Sequence, residues 1–229
     1  MALHSKRFTA VAEKVERARK YSVQEAAELI KATATAKFDE SVEVTLRLGV
    51  DGKRSDQMVR GSVSLPKGTG KAVRVIAFAV GEMAEKAKAA GAIETGSDDL
   101  IKKISDGWAE FDVAVAHPEL MSKVGRLGRI LGPKGLMPSP KAGTVTENVE
   151  RAVREYMGGR VEYRSDAGGC VHALVGKASF SAADLVENIQ AFIEHVSAAR
   201  PAGVKGIFMR KAVVSTTMGP GIELSVAKL

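Results

Sequence analysis

Residues 125–145, GRLGRILGPKGLMPSPKAGTV, carry Arg126, Arg129, Lys134 and Lys141 with no acidic residue, interleaved with five glycines and three prolines. The glycines and prolines break helical and strand periodicity, which predicts an ordered loop over most of the run. A long basic loop contacts a polyanion, braces an interface between domains, or is simply solvated. The run STTMGPG at residues 215–221 offers different chemistry. Thr216 and Thr217 supply hydroxyls that both donate and accept, which suits ribose 2′-OH groups. Gly219 lets a backbone approach closely, and Met218 gives an adaptable apolar contact. A plain hairpin turn is the alternative. In AKFDESVEV, residues 36–44, Lys37 can meet a phosphate and Ser41 adds a small hydroxyl, while Phe38 either stacks on a sugar or fills the core. Glu43 is costly beside a polyanion unless it accepts hydrogen bonds from 2′-OH groups or a guanine edge, where it gives selectivity rather than affinity. GKASF, residues 176–180, puts Lys177 and Ser179 at a strand-to-helix junction, where a helix N-terminus attracts phosphate or is merely capped.

Catalytic and cofactor patterns point nowhere by comparison. PKGTGKA, residues 66–72, has a phosphate-loop flavour, but Leu65 stands where the first glycine belongs and Ala72 where the hydroxyl belongs. A strand rather than a helix is expected to follow. A Gly/Pro linker between domains, with Gly68 and Gly70 as hinge points, fits better. His4, His117, His172 and His195 lack zinc spacing, and no G-x-S-x-G elbow occurs. Cys170 and His172 can share one strand face, where packing is the ordinary explanation. The expectation is therefore no catalytic residue, no metal and no cofactor. The single cysteine excludes an intrachain disulfide. No apolar run reaches membrane length and the MALHSKRF start lacks a signal core, so a cytoplasmic protein with no membrane partner is expected.

The elements that must position these residues follow from patterning. At 229 residues and 45% hydrophobic content, the chain supports one large or two small domains with real cores. Two helices open it, the second begun by a Ser22–Glu25 capping box. Val42, Val44, Leu46 and Leu48 alternate with polar residues, the period of a half-buried strand, and residues 59–65 predict a second strand. From Ala72 the grammar changes to AVRVIAFAV, a strand covered on both faces. A helix over 82–90, a strand over 92–94, a helix after Ser97, a strand over 112–116, a helix opened by Pro118 and a helix over 147–157 follow. Strands alternating with helices imply a parallel sheet. After Gly158 and Gly159 the earlier style returns. A turn at 166–169 joins two short strands, Ser181 and Asp184 start a helix that ends at Arg200, and strands over 207–216 and 222–226 close the chain.

The predicted class is α/β and α+β in two domains. A split α+β domain from residues 1–67 and 159–229 is interrupted by an inserted Rossmann-like α/β domain over 68–158. The net charge is +7, which favours an anionic partner. Residues 68–158 hold 13 basic and 12 acidic residues against 21 and 15 elsewhere, a net of +1 against +6. The split domain is the expected phosphate-gripping part. A nucleotide-binding enzyme built on the insert and a non-ribosomal RNA chaperone are the competing classes.

Four separated stretches in order, residues 38–44, 54–71, 125–145 and 215–221, closely resemble the ribosomal protein L-one family of bacterial large-subunit stalk proteins, over essentially the whole chain. Ser41 and Ser215 are mild departures where threonine would serve equally. The resemblance implies RNA contact by Lys37, Phe38, Ser41, Glu43, Lys177, Ser179, Thr216, Thr217, Met218 and Gly219. It leaves Arg126, Arg129, Lys134 and Lys141 as either an RNA loop or an interdomain brace. The partners implied are the 23S rRNA stalk, exit-site tRNA whose release is assisted, and the protein's own operon mRNA, which it represses. A monomer is implied when free.

Overall fold

The computed structural model describes residues 5–16, 18–52, 54 and 56–225, so that His4 and Val226 fall outside the described residues. The chain forms two compact units, one from Met1–Gly70 with Val161–Leu229 and the other from Lys71–Arg160.

The first unit is built on a four-stranded antiparallel sheet in the order β7-β1-β8-β9, from β1 (Ser41–Leu48), β7 (Cys170–Lys177), β8 (Met209–Thr216) and β9 (Ile222–Leu224). Alternation makes β1 two-faced: Val42, Val44, Leu46 and Leu48 are buried, while Ser41, Glu43, Thr45 and Arg47 face away. Two helices pack near each other in this unit, α2 (Val23–Thr33) and α8 (Ala182–Ala198). Ser22 and Glu25 close the capping box of α2, and the Ser181 hydroxyl accepts from the Asp184 N–H to start α8. Leu185, Ile189, Phe192, Ile193 and Val196 of α8 recur at helical spacing and join the β1 residues in one core. A short amino-terminal helix, α1 (Lys6–Ala12), precedes α2. Strand β2 (Arg60–Ser64) pairs with β6 (Arg160–Arg164) in a separate two-stranded sheet. The turn at 166–169 joins β6 to β7 as expected, although the two strands belong to different sheets and meet through a bridge at Ser165–Val171.

Asn188 of α8 is fully buried, and both polar atoms of its side chain are paired. Its Oδ1 accepts from the Lys67 N–H at 3.0 Å, and its Nδ2 donates to the carbonyls of Gly68 at 2.9 Å and Val175 at 2.8 Å. The 66–70 segment is thus strapped to this unit rather than loose, and Gly70, at φ +70°, leaves its missing Cβ no room beside the Phe180 ring.

The second unit holds a three-stranded parallel sheet in the order β4-β3-β5, from β3 (Val75–Phe78), β4 (Glu94–Gly96) and β5 (Val113–Ala116). Helices α3 (Glu82–Ala89) and α4 (Asp98–Ser105) make the crossovers, and α7 (Val149–Met157) follows an Asn148 cap. Both faces of β3 are covered: Ile76 and Phe78 meet Leu100, Ile104, Leu127 and Leu131, while Val75 and Ala77 meet Val149, Val153 and Tyr156. Strand β4 starts at Glu94 rather than Ala92; just before it, Ile93 donates its N–H to the Val75 carbonyl and leaves its side chain exposed.

The start of the basic run is helical rather than a loop: α5 (Met121–Val124) leads into a 3-10 turn at Gly125–Leu127 and α6 (Gly128–Leu131), with a further 3-10 turn at Pro140–Ala142. Val124, Leu127 and Leu131 recur at helical spacing and are buried, and that burial outweighs the roughly 1 kcal/mol that each helical glycine costs.

Asp112 closes the start of this unit, accepting from Lys71 Nζ at 2.9 Å and from the backbone N–H and Nε of Arg74, each at 3.1 Å. Burial would raise its pKa, but these donors bring it from 3.8 down to about 2. A depressed carboxylate stabilises the fold above its unfolded pKa and loses that contribution as pH falls through the folded one. Asp112→Asn should cost about 1 kcal/mol near neutrality once screening around the exposed cations is counted. Urea titrations across pH should show the gap from the parent closing between about pH 4 and pH 2; a gap constant over that window would contradict the assignment.

Candidate nucleic-acid interface

The register of β1 decides which residues meet. Ser41 lies opposite Lys177 of β7, Val42 opposite Thr216 of β8, and Glu43 opposite Ser215. The start of β1 and the ends of β7 and β8 therefore coincide at one end of the sheet. Three segments far apart in sequence, 36–43, 177–179 and 216–219, become one surface.

Hydrogen bonds lock the segments together. The Ser41 N–H donates to Thr217 Oγ1 at 2.9 Å, and the Thr217 N–H donates to the Ser41 carbonyl at 3.0 Å. Lys177 Nζ donates to Ser41 Oγ at 2.8 Å. Asp39 accepts from both the N–H of Ser179 at 3.0 Å and its hydroxyl at 2.9 Å. The fixed surface carries Lys37 and Glu43 exposed, Phe38 at 55% exposure and Met218 at 47%. Phe38 is thus displayed rather than packed. Two large apolar side chains held in water beside cations suit a ligand with flat apolar faces and phosphates.

Several residues behave differently from their sequence reading. Thr216 is 5% exposed, and its Oγ1 is buried without a well-formed hydrogen bond. Because Val42, Val214 and Thr216 share the inward face, strand parity turns this side chain inward. The Thr217 hydroxyl is already occupied by the Ser41 N–H. Gly219 is needed internally, since a Cβ there would collide with Thr216 Oγ1. Arg126, Arg129 and Lys134 belong to the other unit, where all three are exposed without an ion pair among the described residues. The Lys141 side chain lies outside the described part of the structure.

Glu40 is the residue that sequence reasoning missed. It is 1% exposed, with Oε1 accepting from the Ala36 N–H at 2.9 Å and Oε2 from the Met218 N–H at 3.0 Å. Burial opposes its charge, yet the Ala36 N–H, the Thr216 hydroxyl, the Met218 N–H and nearby Arg7 together hold its pKa below the ordinary carboxylate value. Arg7 of α1 was missed as well, donating to Thr35 Oγ1 at 2.9 Å and to the Met218 carbonyl at 3.2 Å. Neither shows a local signal, because the contacts to residue 218 that give both their place at this surface are long-range.

Elsewhere, His172 does not engage Cys170. Its Nδ1 lies 3.1 Å from Thr45 Oγ1 and its Nε2 lies 3.8 Å from Asp166 Oδ2. Among the described residues, no His, Cys, Asp and Glu are grouped to hold a metal, and no helix is long and apolar enough to cross a membrane.

The Gly219–Thr216 contact yields a test that needs no ligand. Gly219→Ala should destabilise the free protein by about 1–2 kcal/mol through overpacking. Adding Thr216→Ala should recover most of that, a coupling of at least about 1 kcal/mol in a double-mutant cycle by urea denaturation. A neutral Gly219→Ala would show that the turn has slack.

The profile of the Ribosomal protein L1p/L10e family matches residues 30–220. The chain is similar to the Large ribosomal subunit protein uL1 of Beutenbergia cavernae, 53% identical over 228 residues, covering 100% of this chain and 96% of that protein. It is similar to the protein of the same name from Clavibacter michiganensis subsp. michiganensis, 54% identical over 222 residues and 97% of each chain. The Bordetella pertussis protein of that name is 52% identical over 229 residues, covering 100% of this chain and 99% of its own. On matches that run the length of both partners, the chain belongs to the Ribosomal protein L1p/L10e family.

Proposed function

We propose that this chain is a structural constituent of the large ribosomal subunit, working in the cytoplasm on the ribosome, and that it binds the mobile stalk of 23S rRNA. The carrying observation is the display of Phe38 and Met218 in water on a rigid surface flanked by Lys37 and Lys177. Lysines neutralise phosphates without reading sequence, and the apolar pair supplies stacking and sugar contact. Glu43, exposed near the start of β1, repels a bare phosphate and accepts from 2′-OH or guanine donors, which favours a folded RNA that presents them. The family resemblance extends the reading to release of deacylated tRNA at the exit site and to repression of the protein's own operon mRNA through a similar RNA structure.

The test compares a stalk hairpin with a scrambled hairpin by fluorescence anisotropy at several salt concentrations. Phe38→Ala should lower stalk affinity by about 1–3 kcal/mol, the usual worth of a base–aromatic stack, with the denaturation midpoint unchanged. Lys37→Ala should weaken both RNAs alike and flatten the salt slope by about one contact. An operon-leader transcript should compete with the stalk hairpin for the same protein. Full stalk affinity in Phe38→Ala would remove the apolar contact from the account.

A further inference from the structure

We propose that Glu40 and Arg7 are positioning residues for RNA selectivity, which hold the Met218 turn against the Phe38 loop without touching RNA themselves. This rests on the RNA-binding reading above and deepens it.

A carboxylate with 1% exposure cannot be solvated, so it must be met by fixed donors. Glu40 takes one N–H from each of two segments far apart in the chain, Ala36 at 2.9 Å and Met218 at 3.0 Å. Its own carbonyl accepts from the Ala178 N–H at 2.8 Å, which ties in the third segment of the surface. Arg7 approaches from α1. Its guanidinium fork spans Thr35 Oγ1 at 2.9 Å and the Met218 carbonyl at 3.2 Å.

Residue 218 is therefore held on both sides, its N–H by a buried anion and its carbonyl by a cation. These partners leave the Met218 peptide little freedom to rotate, which fixes where its exposed side chain points. Ala36 is held by the same carboxylate two residues before Phe38. Apart from Arg7 of α1 and its acceptor Thr35, every donor and acceptor in this network lies in the three segments that build the displayed surface. None comes from the middle of a core strand. An arrangement devoted to the fold alone has no need to concentrate its charges there.

Selectivity depends on this rigidity more than raw affinity does. Phosphate contacts tolerate movement, whereas an apolar pair reads shape only when its spacing is fixed.

The experiment uses the full chain with two probes, a hairpin of the organism's own large-subunit stalk sequence and a scrambled hairpin of equal length. Glu40→Gln preserves size but turns an amide NH2 toward one of the two N–H donors. Stalk affinity should fall by about tenfold or more, the worth of a lost charge-assisted bond, and affinity for the scrambled hairpin by less than about twofold. The Ala36 and Met218 amide protons should move upfield in nitrogen-15 spectra, a change that general loosening would not confine to those two. Arg7→Ala should lose the same preference with little change in denaturation midpoint. Arg7→Lys, which keeps the charge without the fork, should rescue only part of it.

Undiminished preference in both Glu40→Gln and Arg7→Ala, with those amide resonances moved, would overturn the positioning role and leave the RNA reading intact. A parent protein indifferent to the two hairpins would overturn that reading and the proposal with it. Should Glu40→Gln fail to fold, the Arg7→Ala result decides the matter.

Discussion

Strand β1 lies between β7 and β8, two strands supplied much later in the chain, and the register of that central strand governs nearly everything else. Side chains alternate across a strand, so a slip of one residue would exchange Val42, Val44 and Leu46 with Ser41, Glu43 and Thr45. The core and the displayed surface would be lost together. Because four β1 residues are almost wholly buried, the hydrophobic energy that stabilises the unit also fixes the register. The candidate surface comes from the same constraint, since it sits where one strand starts and two others end.

At that end of the sheet, strand pairing gives way to charge. Backbone groups beyond the last ladder bonds need partners, and Glu40, Asp39 and Thr217 supply them. A buried carboxylate is a poor source of net stability, since desolvation offsets most of its attraction. It is a good source of definition, because removing it leaves N–H groups on separate segments unpaired. The consequence is a surface stiff enough to present Phe38 and Met218 in water, where neither would settle through packing.

Much of this organisation is legible in the sequence, for identifiable reasons. The alternation of β1, the Ser22–Glu25 box, the Ser181 cap and the two-sided burial of β3 are all local patterns with one physical meaning. What is hidden depends on distant neighbours. Residues 125–131 look like a loop because glycine dominates their propensity, yet Leu127 and Leu131 find a waiting apolar face and the chain coils to reach it. Thr216 looks like a ligand contact until its strand parity turns it inward. Gly219 looks like a site for close RNA approach, but the neighbour it accommodates is Thr216. Asn188, Arg7 and Glu40 carry no local signature, since every partner of Asn188 and Arg7 lies far along the chain and Glu40 matters through Met218.

On the proposed function, RNA is read by the surface assembled around the start of β1. An amide chemical-shift map of the full chain, titrated with the stalk hairpin, tests this most directly. The account predicts that the largest changes fall within residues 36–43, 177–179 and 216–219. Changes centred on residues 126–141, with those three segments silent, would contradict it and transfer the recognition to the other unit.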